Sequence, residues 1–349
     1  MVIQMKTGFS YYFGTPPEKS KEIFKKAIDA NMEYVFTSLH IPEEQVEDYR
    51  GRVLEFIRDC RDANLKFMID VSPHTLEKLG CENFEDLKAL EVDYLRLDFG
   101  FTNEEIVKLS KTFYIVFNAS THGEKDIALW KELGADFSRF LACHNFYPKP
   151  LTALSMKRVK EVNKYLNAMG ILTMGFVSGD KDFRGPLYAG LPTVEKHRNG
   201  DVFYNMLELY HKTGCHVVLF GDVDVTDEVW QRVKEYNAGY VSLRADIEEP
   251  YTDLKNMLHH DRADSSSHVL RSVESRFIKR EVLPVTPAPE RKKGDIFISN
   301  KDFLRYEGEV EIARKDLEVD SRVNIIGRIH KDDTKYMKYI VDGFGFMLK

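Results

Sequence analysis

The sequence holds no apolar run as long as the roughly 18 residues a bilayer span requires, so no transmembrane helix is expected. Its first residues, Met1-Val2-Ile3-Gln4-Met5-Lys6, lack the apolar core of a signal peptide. Paired cysteines are missing too. Cys60, Cys81, Cys143 and Cys215 are scattered with no CxxC spacing, which excludes a disulfide framework and a zinc knuckle and fits a reduced, cytoplasmic protein. There is no excess of positive charge: the net charge is −6 and the isoelectric point about 6.0, which argues against nucleic acid or an anionic membrane as main partner. No Gly-rich phosphate fingerprint follows the first apolar run, since Phe13-Gly14-Thr15-Pro16-Pro17 cannot cradle a pyrophosphate. HxH and HExxH spacings are absent, so neither a metal nor another cofactor is expected. Asp70, Asp98, His144 and Asp222 could in principle hold Mg²⁺, Mn²⁺ or Zn²⁺, and that stands as a competing chemical idea.

What the chain does have is a rhythm. Apolar runs closed by polar, Gly or Pro residues recur at 7–13, 34–40, 66–73, 94–100, 113–120, 140–148, 171–179 and 217–224. Between them lie stretches of helical period, among them 17–30 with Ile23, Phe24, Ala27 and Ile28 on one face. Others are 47–63, with Val53, Leu54, Phe56 and Ile57, and 155–169, with Val159, Val162, Tyr165 and Leu166. Asn31, Asn64, Gly134, Gly170 and Gly214 stand where helices would end. Eight strand–helix units in series predict an α/β fold, a (β/α)8 TIM barrel of roughly 240 residues, with an open doubly wound sheet as the alternative.

After residue 239 the texture changes. Residues 240–247 read as an exit strand, His259 to Ser267 as a polar junction, and Pro284, Pro287 and Pro289 as breaks. Short strand-like runs at 295–299, 308–313, 322–329 and 339–348 predict a small β-rich, barrel-like C-terminal domain. The expected division is a catalytic barrel over 1–239, a junction with an exit strand over 240–293, and a β core over 294–349, although that domain could begin near 240.

Two strands carry the chemistry. Phe67-Met68-Ile69-Asp70 and Leu95-Arg96-Leu97-Asp98 are apolar runs that each end in a carboxylate. A run of this type is buried on both faces of a parallel sheet, so the acid is desolvated unless it is compensated. Each Asp could simply cap a turn or pair with Arg96. Two at matching strand ends instead suggest a site, because a barrel does its chemistry at the C-terminal ends of its strands. Those ends supply His40, Asp70, Asp98, Asn118, His144, Asn145, Ser178 and Asp222. Side chains alternate along a strand, so Arg96 faces the same way as Asp98, one layer lower, where it would hold a carboxylate ionised. Two carboxylates in unlike environments are what glycoside hydrolysis needs. No Lys stands at a strand end, which disfavours a Schiff-base aldolase. A sugar-phosphate isomerase or aldolase of another type, and a non-catalytic carbohydrate-binding protein, remain alternatives.

The long loop after the seventh strand carries Arg184, Lys196, His197 and Arg198, a cationic set suited to a phosphate. A capped helix start at Pro192-Thr193-Val194-Glu195 followed by surface charges is the other reading. Phe146 and Tyr147 could stack on a sugar ring or pack the mouth.

Taken in order, several motifs resemble one family. They are Gly8-Phe9-Ser10-Tyr11-Tyr12, Phe36-Thr37-Ser38-Leu39-His40-Ile41-Pro42-Glu43, Asp70-Val71-Ser72 and Arg96-Leu97-Asp98-Phe99-Gly100. Asn118-Ala119-Ser120-Thr121, His144-Asn145-Phe146-Tyr147-Pro148, the loop 184–198 and His260-Asp261-Arg262-Ala263-Asp264 continue the match. The chain is similar in these to the 6-phospho-N-acetylmuramidases, glycoside hydrolase family 170, over nearly its whole length. The resemblance implies a cytoplasmic enzyme of peptidoglycan recycling with a cyclophilin-like C-terminal domain. Its substrate would be N-acetylmuramic acid 6-phosphate β-1,4-linked to N-acetylglucosamine. Carried onto this chain, Asp70 and Asp98 form the catalytic pair with Asp222 in reserve. Arg184, His197 and Arg198 would meet the 6-phosphate, and His40, Arg96, Asn118, His144, Asn145 and Tyr147 the rest of the sugar. No nucleic acid or membrane partner is expected, and a homodimer is compatible with the sequence.

Overall fold

The computed structural model describes residues 4–39, 48–71, 75–92, 94–97 and 100–349. Residues Met5–Val233 form one compact unit and Lys234–Lys349 belong to a second. His40 and Asp98, two of the expected site residues, lie outside the described residues.

The first unit begins with β1 (Lys6–Ser10), α1 (Pro17–Asp29), β2 (Tyr34–Ser38), α2 (Tyr49–Asp62) and β3 (Lys66–Val71). It continues through α3 (Thr75–Leu79), α4 (Phe84–Ala89), β4 (Tyr94–Leu97), α5 (Asn103–Leu109), β5 (Tyr114–Asn118), α6 (Glu124–Glu132) and β6 (Phe140–Cys143). Then come α7 (Met156–Ala168), β7 (Leu172–Val177), α8 (Val202–Thr213), β8 (Val217–Phe220) and α9 (Asp227–Asn237), whose residues from Lys234 onward count with the second unit. The eight strands pair in parallel in sequence order and β8 closes on β1, giving the expected closed barrel.

Local chemistry explains the punctuation. Ser155 and Asp201 cap α7 and α8 by accepting from the amides of Arg158 and Tyr204. Thr102 and Glu105 close a capping box on α5. Asn31, Asn64, Gly134, Gly170 and Gly214 all adopt positive φ, the conformation that ends a helix and turns the chain toward the next strand. The helices bury most of the faces their period predicts: Ile23 and Ala27 on α1, Val53, Phe56 and Ile57 on α2, and Val159 and Leu166 on α7, whereas Ile28 of the expected α1 face is 44% exposed. Among the described residues no helix is long and apolar enough to cross a membrane.

In the second unit, β9 (Tyr240–Leu243), β10 (Ala245–Ile247), β11 (Leu258–His260) and β12 (Val269–Arg271) precede β13 (Asp295–Ser299), β14 (Val310–Ala313), β15 (Val323–Ile329) and β16 (Gly345–Leu348). They build a five-stranded sheet in the order β10-β15-β13-β14-β12 and a three-stranded sheet in the order β11-β16-β9. The stretch 240–293, read from sequence as a junction with an exit strand next to a domain that could begin near 240, supplies four strands to these sheets. Within it, buried Asp261 accepts from the Arg271 amide at 3.1 Å, the Ser265 hydroxyl at 2.6 Å and the Arg314 guanidinium at 3.2 Å. That makes Asp261 an internal tie of the β-rich unit.

Candidate active site at the barrel mouth

Alternation decides what the barrel contains. Inward positions fill from below with Tyr34, Met68, Val116, Leu141, Met174 and Val217, and above them with Phe36, Cys143, Phe176 and Leu219. Continuing the same parity toward the strand C-termini brings in Ser10, Ser38, Asp70, Arg96, Asn118 and Ser178, all buried. Apolar layers thus give way to a polar layer at the mouth. Sequence reasoning named the acids and amides in that layer but gave no role to Ser10 or Ser38. Their signal was present, since each lies two residues beyond an inward position of its own strand.

Register puts Ser38 beside Asp70 and Asp70 beside Arg96 on neighbouring strands. The Arg96 guanidinium donates from Nη1 to Asp70 Oδ1 at 2.8 Å and from Nη2 to Asn145 Oδ1. Its Cζ lies 5.9 Å from the centre of the Phe36 ring. The side chains of Arg96 and Asp70 are only 5% and 8% exposed, so this is a desolvated ion pair and not a surface contact. Arginine stays protonated at any working pH, which keeps a cation against Asp70 throughout. Burial pushes the thiol of Cys143 on β6 up to about 12, and it carries no nucleophile character there.

The loop after β7 is fastened down. Buried Asp222, just past β8, accepts from the amides of Gly179 at 2.8 Å and Leu191 at 3.0 Å through Oδ2, and from Arg184 at 3.1 Å through Oδ1. Burial raises its pKa while these three amides pull it down. Both oxygens are thus spent on main-chain donors, and the reserve catalytic role expected of Asp222 gives way to that of a loop anchor.

The three expected phosphate ligands separate. The Arg184 guanidinium lies 4.9 Å from the Tyr12 ring centre and 5.8 Å from that of Phe146, with no hydrogen bond to any described residue. Phe146 is wedged edge-on against Phe36 and Phe176, so the wall beneath Arg184 is rigid. Arg198, by contrast, is committed. It chelates Glu195 at 2.6 and 2.8 Å and donates to the carbonyls of Gly190 at 2.9 Å and Tyr147 at 3.0 Å. His197 is fully buried, its Nε2 3.0 Å from Glu208, and burial lowers its pKa. The expectation that His197 and Arg198 bind phosphate is therefore corrected. Arg198 is saturated by a carboxylate and carbonyls, while His197 is held inside the loop by Glu208 through Nε2, its buried Nδ1 having no partner among the described residues.

His144 is corrected too. Cys143 faces inward, so His144 faces outward, where its Nε2 lies 2.8 Å from Asn163 Oδ1 on α7. Burial lowers its pKa to about 4. It joins barrel to helix as a neutral imidazole. Asn145 returns to the inward face and meets Arg96, while Asn118 accepts from the Ser120 amide at 2.9 Å. Tyr147 fastens its backbone to Pro192, donating at 3.0 Å. Among the described residues no cluster of three or more His, Cys, Asp or Glu could hold a metal ion.

Known proteins can be set against this geometry. The profile described as 6-phospho-N-acetylmuramidase, N-terminal, matches residues 7–235, and its C-terminal counterpart matches 240–349. Among solved structures, a conserved protein of unknown function from Enterococcus faecalis shares 31% identity. It superimposes with a TM-score of 0.80 over 99% of this chain and 96% of its own. An uncharacterised B. cereus protein, 24% identical with a TM-score of 0.73 over 99% of both chains, shows the same fold. No curated protein matches at a significant level. With both profiles together spanning the barrel and the β-rich unit, the chain belongs to the 6-phospho-N-acetylmuramidase family.

Proposed function

We propose that the chain is a glycosidase that hydrolyses the β-1,4 bond between N-acetylmuramic acid 6-phosphate and N-acetylglucosamine, in the cytoplasm, during recycling of peptidoglycan. One observation carries the reading: a desolvated Asp70–Arg96 pair at the C-terminal ends of β3 and β4, in a barrel whose mouth also holds Arg184. Arg96 keeps Asp70 oriented and pairs its charge, which suits a nucleophile or a base that activates water. Asp98, two residues beyond Arg96 and of the same parity, is the proposed proton donor. The bond from the anomeric carbon to the leaving oxygen breaks, that oxygen takes the donor's proton, and water supplies the hydroxyl that ends on the anomeric carbon while its other proton passes to a carboxylate of the pair, so the pair's proton count is restored. Arg184 is the proposed contact for the 6-phosphate, because its guanidinium has no internal hydrogen-bond partner among the described residues. The amides of Asn118 and Asn145 are proposed to meet hydroxyl or N-acetyl groups.

The test compares turnover of the phosphorylated disaccharide with its dephosphorylated form. Replacing Arg184 by Ala should raise KM about 10- to 100-fold on the first, the size of a lost charge-assisted hydrogen bond, and leave the second nearly unchanged. Equal turnover of both substrates by the unmodified protein would remove the phosphate assignment. Asp70→Asn should lower kcat by about 10²- to 10⁴-fold.

A further inference from the structure

The loop after β7 displays side chains that the reaction above does not use. Leu187 and Tyr188 are 54% and 68% exposed, while the backbone on both sides of them is held. Asp222 grips the amides of Arg184 and Leu191, and Arg198 grips the carbonyls of Ala189 and Gly190. Tyr188 itself has φ of +51°, in the left-handed region. A non-glycine residue there costs roughly 1–2 kcal/mol, and such strain collects at functional positions. Its ring lies over Gly185, where a Cβ would stand 3.1 Å from the ring's Cζ. A side chain at 185 would make that ring give by a few tenths of an ångström. A strained backbone thus presents an aromatic face to solvent. Among the described residues, Tyr188 has neither an aromatic nor a hydrogen-bonded partner. Core packing explains none of this.

We infer that Tyr188, with Leu187 beside it, is the stacking platform for the neutral pyranose on the leaving side of the scissile bond. The inference rests on the glycosidase reading proposed above. Arg184, four residues earlier on the same loop, answers the anionic end of the substrate; what remains to be recognised is an uncharged sugar. A pyranose presents one face of C–H groups, which pack on an aromatic ring, and a rim of hydroxyls that stay hydrated. An exposed Tyr flanked by Leu meets that chemistry, and it carries no positive charge to answer a phosphate.

The experiment uses the full chain and three proteins: unmodified, Tyr188→Ala and Tyr188→Phe. Each is assayed on the phosphorylated disaccharide and on the methyl β-glycoside of the same phosphosugar, which lacks the leaving ring. Tyr188→Ala should lower the ratio of kcat/KM on disaccharide to that on methyl glycoside about 3- to 10-fold, the size of one aromatic contact. Tyr188→Phe should restore the ratio. An unchanged ratio in Tyr188→Ala overturns the platform. In parallel, saturation-transfer NMR with free N-acetylglucosamine should give a signal on the unmodified protein and on Tyr188→Phe that fades on Tyr188→Ala. If the unmodified protein turns over neither substrate, the glycosidase reading fails, and the NMR arm still decides whether Tyr188 holds a neutral sugar. Equal NMR signals on all three proteins, or a change of sedimentation in Tyr188→Ala with sugar binding intact, would overturn the inference; the latter would mark the patch as a contact between copies.

Discussion

Replacing Arg96 by Met removes the one cation from a desolvated pair. The guanidinium gives up its 2.8 Å contact to Asp70 and its contact to Asn145, and the buried Asp70 carboxylate loses the cation paired with it. Breaking a buried pair from one side costs about 3–5 kcal/mol. In a unit of this size each kcal/mol shifts the midpoint by about 2–4 °C, so thermal unfolding should fall by about 6–20 °C. The informative comparison is the double variant, Arg96→Met with Asp70→Leu. Both charges are then gone, the volume is roughly kept, and neighbours such as Phe36 supply an apolar surround. Its stability should return to within about 1–2 kcal/mol of the unmodified protein, because apolar replacement of a buried pair is often neutral or better. Chemical denaturation of the four proteins in the cycle gives the coupling directly. The same cycle separates folding from chemistry, since the double variant should be stable and inactive. Additive losses, with the double variant as unstable as the sum of the singles, would refute the reasoning. So would a cost below about 1 kcal/mol for Arg96→Met, because that is the value of an exposed pair.

Two further outcomes follow from the anchors. Asp222→Asn turns one acceptor oxygen into a donor facing backbone amides, so it should cost about 1–3 kcal/mol and speed hydrogen exchange at Gly179, Arg184 and Leu191; unchanged protection at those amides would refute the anchor role. His144 gives a pH dependence of definite sign. Its folded pKa of about 4 lies below the unfolded value of about 6.5, so the unfolded chain binds the extra proton between those values. The stability it contributes is full above about pH 6.5 and falls as pH drops toward 4, by about 3 kcal/mol in total. The stability difference between the unmodified protein and His144→Gln should narrow across that window, and a difference flat with pH would contradict it.

Much of the fold was written in short-range patterns. Helix faces and chain reversals at Asn31 and Asn64 need only neighbouring residues to be recognised, and the barrel follows from their repetition. The pairing of Arg96 with a carboxylate followed from strand parity. That same parity, applied to β6, would have sent His144 outward and kept Asn145 in. Position at a strand end was the wrong criterion, because the decisive variable is which side of the sheet the residue leaves from. Arg198 carried a local warning in Glu195, three residues before it and within reach of its fork. His197 carried none, since Glu208 reaches it only once α8 has packed. The role of Asp222 was illegible for a different reason. Its partners are amides, which every residue has, and no side-chain pattern marks which of them will converge.

That anonymity has an evolutionary consequence. Asp222 and Arg198 hold the loop after β7 through main-chain amides and carbonyls, so these hydrogen bonds do not themselves depend on which side chains the loop carries. Substitutions at positions such as Leu187 can accumulate without loosening the frame, and descendants of this chain can explore new surface chemistry there while inheriting the same backbone path. The barrel is in that sense a fixed chassis with one exchangeable segment, and divergence among relatives that take other leaving groups should fall between the anchors before it reaches them.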